Sequence, residues 1–163
     1  NILINSYASK DNLYEKVTNT FERIVFATHT VPSGWMGLTN ETGIVLADSD
    51  GDFLLTPTEI INLNFNSDIV LLSSCNSEND GIGELYKSFL VAGANSVIYS
   101  NWTLETVSAE NFTKSTFKNM LFESLSKHEA MRQASLEIMN DYSKRIYAHP
   151  AFWGNFSIAY RSL

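Results

Sequence analysis

The chain has 163 residues, of which 44% are apolar and 18% charged, and its net charge is −7. That size suits one domain around one core, and the composition excludes disordered and fibrous classes. The acidic balance, without any run of Lys or Arg, argues against a nucleic-acid partner or an anionic-membrane surface. The single cysteine, Cys75, cannot form an intrachain disulfide and suits a reducing, cytoplasmic compartment.

Taken in order, Ile2 to Ile4 are an apolar run that predicts a buried strand. From about Ser9, the spacing of Leu13, Val17 and Phe21 predicts a helix with one apolar face. RIVFATH (23–29) is continuous and rich in strand formers, the pattern of a strand buried on both faces. GIVLAD (43–48) and DFLLT (52–56) flank Ser49, Asp50 and Gly51 and predict a hairpin. Thr56, Pro57 and Glu59 then supply a helix cap, a first-turn proline and a reciprocal carboxylate.

DIVLLSS (68–74) reads as a second buried strand, ending at Cys75, and NSVIYSNW (95–102) as a third. Between them GELYKSFLVAG (83–93) predicts a helix stopped by Gly93. Two further helices open at Ser108 and at the capping box from Ser126 to Glu129, and WGNFSIAY (153–160) predicts a last strand. Apolar strands alternating with helices indicate an α/β domain with a mostly parallel sheet. None of the apolar runs is long enough to span a bilayer.

Ligands of open parallel sheets gather at the carboxyl ends of the strands. His29 closes one predicted strand and Cys75 closes the next parallel one, and consecutive strands are usually neighbours. Taken singly, a Cys reads as a small buried hydrophobe and a His as a satisfied core group. The pair, one at each strand end, is a more specific signal.

FATHT around His29 and LLSSCNS around Cys75 resemble the two active-site segments of CHAT domains, caspase-like proteases related to separase and the caspases. DGDFLLTPTEI (50–60), FLVAGANSVIYSNW (89–102) and HPAFWGNF (149–156) are similar to that family's pattern in the same order. The resemblance covers nearly the whole chain. It implies a caspase-like three-layer sandwich forming one domain over 1–163. Such domains usually carry another strand and helix ahead of the segment that starts here, so the expected domain is incomplete at its N-terminus.

For the chemistry, the resemblance implies His29 as acid–base and Cys75 as nucleophile, with no metal and no cofactor. The oxyanion hole would use the backbone N–H groups of Cys75 and Thr30, where many relatives carry Gly at the latter position. Trp102, Glu105 and Thr106 are the implied substrate contacts. In some relatives an acidic residue at the position of Thr106 selects a basic side chain, and Glu105 stands beside it. Glu105 also reads as a solvated loop charge, as do Glu78 and Asp80. The family further implies a protein substrate and a helical-repeat sensor outside this chain. The competing readings are a catalytically silent interaction module with the same fold, and a flavodoxin-like binding domain.

Other motifs carry less. Asp48, Asp50, Asp52 and Glu59 resemble an EF-hand loop, but Phe53 stands where Gly is needed and a strand precedes the loop. His128 and His149 have no metal-ligand spacing and read as structural. Ser73 and Ser74 lack the Gly-x-Ser-x-Gly elbow. Trp153, like Trp102, reads as core or cleft wall.

Overall fold

The computed structural model describes residues 2–37, 39–73, 83–141 and 145–162. Its helices are α1 (Lys10–Val17), α2 (Pro57–Ile61), α3 (Gly83–Val91), α4 (Thr106–Phe122), α5 (Lys127–Met139) and α6 (Pro150–Trp153). Its strands are β1 (Arg23–Phe26), β2 (Thr30–Val31), β3 (Gly43–Ser49), β4 (Asp52–Leu55), β5 (Ile69–Leu72), β6 (Ser96–Ser100) and β7 (Phe156–Tyr160). Two sheets result: β1-β5-β6-β7 and a small antiparallel β2-β3-β4.

In the larger sheet β1, β5 and β6 run parallel and β7 is antiparallel to β6. The mostly parallel sheet expected from strand and helix alternation is therefore present. All four residues of β5 are buried, as its continuous apolar sequence demands. Because side chains alternate across a sheet, Val70 and Leu72 enter a core with Leu85 and Phe89 of α3 and Ile60 of α2. Ile69 and Leu71 face the opposite way, into a core with Phe112 of α4 and Ala134 and Ile138 of α5. Helices thus cover both faces, giving three layers. Each large side chain so buried contributes about 1.5–3 kcal/mol.

Local signals set several element ends. Thr56 accepts the Glu59 N–H while Glu59 accepts the Thr56 N–H, completing the capping box of α2. Asp50 and Gly51 both have positive φ, at 55° and 89°, the two-residue turn an Asp-Gly pair favours. Gly93 has φ +110° just after α3, and Ala94 N–H returns to the Phe89 carbonyl at 3.0 Å, a left-handed helix stop open to glycine. Ser126 caps α5 through the Glu129 N–H, although the Glu129 carboxylate turns to Arg132.

Three expectations are corrected. Ile2 and Ile4 form no strand and are 85% and 60% exposed, since no sheet neighbour covers them. RIVFATH pairs with β5 only through Phe26, and Val25 is 42% exposed, because β1 is an edge strand of its sheet. Continuous apolar sequence cannot by itself distinguish a central strand from an edge. Helix α4 starts at Thr106, before Ser108, and its cap is Glu105. The β2 strand and the short α6 were not anticipated from the sequence.

One buried cation ties the first helix to the hairpin. Lys10 is almost fully buried and pairs with Asp52 and with Glu59 Oε1, the latter at 2.6 Å. Tyr14 donates its hydroxyl to the same Glu59 oxygen. Burial opposes the charge on Glu59, yet hydrogen bonds from Lys10 and Thr56 outweigh it and hold its carboxyl below the usual range. Its bonds to Asp52 and Glu59 raise Lys10 against its own desolvation. Asp52 and Glu59, two acids of the EF-hand-like run, are thus salt-bridge partners of Lys10.

Candidate active site

The parallel ladder between β1 and β5 sets the site. Phe26 stands opposite Leu72, and the Phe26 carbonyl accepts the Ser73 N–H at 2.8 Å. In the neighbouring parallel ladder Leu71 stands opposite Ile98 of β6. His29 and Cys75 each follow the Phe26–Leu72 pair by three residues in the sequence, and Trp102 follows Ile98 by four. Cys75 itself lies outside the described residues, as do Ser74, Glu78 and Asp80.

His29 stands where the chain passes from one sheet to the other. Its carbonyl accepts the Val45 N–H at 2.8 Å, and the preceding Thr28 donates its hydroxyl to the Val45 carbonyl at 2.7 Å. Both polar groups of one β3 residue are thus taken by the Thr28–His29 segment. The His29 residue is exposed, so its backbone is fixed while its ring faces solvent. Thr30 follows as the first residue of β2, opposite Ile44 of β3.

At the end of β6, Trp102 is 40% exposed, and its indole N–H donates to the Ala151 carbonyl at 3.2 Å. The Glu105 carboxylate accepts the N–H groups of Val107 and Ser108, at 3.1 and 2.7 Å. That is a helix cap, a more specific role than a solvated loop charge. Thr106 is the exposed first residue of α4.

The other histidines have structural partners. His149 caps α6 by accepting the Ala151 N–H, and His128 stacks on Tyr160 with ring centroids 5.3 Å apart. Trp153 packs on the α4–α5 core and donates to the Ala148 carbonyl. Among the described residues no group of three or more His, Cys, Asp or Glu is arranged to hold a metal ion, and no helix is long and apolar enough to cross a membrane. A groove of about 810 Å³ follows the open edge of β1, lined by Ile4, Leu13, Ile24, Val25, Thr28 and Ala47 among others. His29 is not part of its lining.

The family model for the CHAT domain matches residues 1–162. This chain belongs to the CHAT domain family. CHAT domains are a caspase-like group related to cysteine peptidases, and the mixed α/β fold with its mostly parallel sheet agrees with that kinship. This CHAT domain is also similar to tetratricopeptide repeat protein 28 of Mus musculus, 29% identical over 115 residues. The Homo sapiens protein of the same name is 26% identical over 112 residues. Each match covers 66% of this chain and 4% of the relative.

Thr28 and Asn155 are two residues of this site that sequence reading missed. Thr28 left a weak signal, a hydroxyl directly before the candidate histidine. Asn155 lies within the matched segment HPAFWGNF, but its partners Asn101 and Trp102 lie more than fifty positions away, so its role could not be read from the sequence.

Proposed function

We propose that this CHAT domain is a cysteine endopeptidase that cuts one or a few protein targets. The observation that supports the reading is the register of β1 on β5, from which the two candidate residues are equally spaced. In this reading His29 takes the Cys75 thiol proton, and the thiolate attacks the scissile carbonyl carbon, forming a C–S bond. The backbone N–H groups of Cys75 and Thr30 hold the oxyanion. His29 passes its proton to the leaving amine as the C–N bond breaks. It then deprotonates a water that attacks the acyl-enzyme, releasing the carboxylate and restoring the thiol.

Trp102 and Thr106 are the proposed substrate contacts. Glu105, whose carboxylate is engaged at the start of α4, caps that helix in this reading and does not select the substrate. The chemistry calls for neither metal nor cofactor, and a thiolate nucleophile calls for a reducing setting such as the cytoplasm. The names of the two relatives suggest that a helical-repeat region outside this chain senses a partner and gates the site.

The β1 edge supports one further element of this proposal. Glu22 and Phe26 direct their carbonyls toward β5, so by alternation Arg23 and Val25 direct theirs away. An additional strand from outside these residues would pair there and fill the apolar groove. Protection of the Val25 amide from exchange in a longer chain is the expected result; a native product consisting of these residues alone overturns it.

The test of the peptidase reading uses the full-length protein with its activating partner and a cysteine-directed covalent probe. Labelling and peptide cleavage should vanish in Cys75→Ala, and cleavage should fall in His29→Ala. Activity that persists in both variants sinks the dyad, and a wild type that binds its partner without any cleavage identifies an interaction module instead.

A further inference from the structure

Asn155 is fully buried, with 0% of its surface exposed, immediately before β7. A buried amide is costly unless its groups are hydrogen-bonded, and here they are. Its side-chain oxygen accepts the Asn101 and Trp102 N–H groups, both at 2.9 Å. Its side-chain nitrogen donates to the Trp102 carbonyl at 3.0 Å. The amide therefore takes both backbone groups of Trp102, as a strand residue would, just past the last β6–β7 pair, Ser100 with Phe156.

The surrounding contacts make this a junction and not a lone bond. The Asn155 carbonyl accepts from the Asn101 N–H and from the Asn101 side chain, each at 2.8 Å. Asn101 also donates to Ser157 at 2.9 Å. The Trp102 indole is fixed separately, on Ala151 of α6. Trp102 thus has its backbone held by one residue and its ring by another, and still keeps 40% of its surface exposed. A ring that served only to fill the core would be covered.

We infer that Asn155 is a positioning residue that holds Trp102 as a rigid wall of the substrate cleft and thereby sets substrate binding. This rests on the peptidase reading above. The amide does not touch substrate; it acts by fixing the Trp102 backbone just past the end of β6. Rigid placement matters because a misplacement of about 1 Å can cost about 100-fold in rate.

The experiment compares two reagents for Cys75 in the full-length protein carrying Asn155→Ala. Iodoacetamide is small and needs no cleft wall, whereas a peptidyl acyloxymethyl ketone must bind as a substrate does. The expected result is alkylation by the peptidyl reagent slowed about 10- to 100-fold through weaker binding, with the iodoacetamide rate unchanged. The Trp102 amide should also exchange faster with deuterium. If Asn155→Ala does not fold, Asn155→Asp, which keeps both accepted bonds and loses the donated one, should show the same selective loss. Equal rates with both reagents, or slowing that is the same for both, overturn the role of Asn155 alone. A wild type that the peptidyl reagent never labels, even with the activating partner present, overturns the peptidase reading as well.

Discussion

Phe26 and Leu72 stand opposite each other in the parallel ladder of β1 and β5, and each is followed after three residues by a candidate catalytic group, His29 or Cys75. Two parallel strands can bring such residues together only if their ends are level. A shift by one residue would turn every side chain to the other face. If the pair works as proposed, His29→Ala lowers kcat/KM by about 10²–10⁴, the usual share of a general acid–base. Steady-state assays on the activated full-length protein measure it, with circular dichroism to confirm that the exposed site tolerates the change.

Glu105 separates a structural role from a specificity role. Its carboxylate caps α4, so Glu105→Ala should cost about 1 kcal/mol of stability, read from urea unfolding. Preference for or against basic residues in a peptide library should not change. A loss of selectivity without a loss of stability would return Glu105 to the substrate contacts.

Thr28 holds the segment that presents His29. Its hydroxyl bond to the Val45 carbonyl replaces a ladder bond that β1 no longer supplies. Thr28→Val keeps the shape and removes the donor, and should lower stability by about 1 kcal/mol. Thr28→Ser should restore most of it. The urea midpoints of the two variants make the comparison.

The Lys10–Glu59 pair predicts an acid-sensitive contribution to stability. Glu59 has a lowered pKa in the folded state, so the unfolded chain takes up its proton first as pH falls. The stabilisation is present above the ordinary carboxylate range and is lost from about pH 5 downward as pH drops through the folded value. Glu59→Gln should flatten that part of the stability–pH curve. At neutral pH it should cost about 2 kcal/mol, between the loss of a cap and the breaking of a fully buried pair, because Glu59 keeps a third of its side chain exposed. Thermal melts across pH 3–7 for both proteins provide the test.

How far the sequence alone reached is clear at particular residues. Thr56 with Glu59, Asp50 with Gly51, Gly93 and Ser126 each mark an element end through contacts or backbone angles spanning only a few residues. Such signals are encoded locally, so they can be read without the fold. The continuous apolar runs of β5 and β6 likewise announced a sheet covered on both faces. Tertiary structure alone decided that Ile2 and Ile4 stay exposed, that β1 lies at an edge, and that Asn155 grips Trp102. Each depends on which distant segment comes to lie alongside: Glu22 meets Asp68, and Asn101 meets Asn155. Residue type fixes what a side chain can bond to, but burial and strand register choose the partner. His29 and Cys75 were therefore legible as candidates in the chain, while the level ends of β1 and β5 came only from the folded sheet.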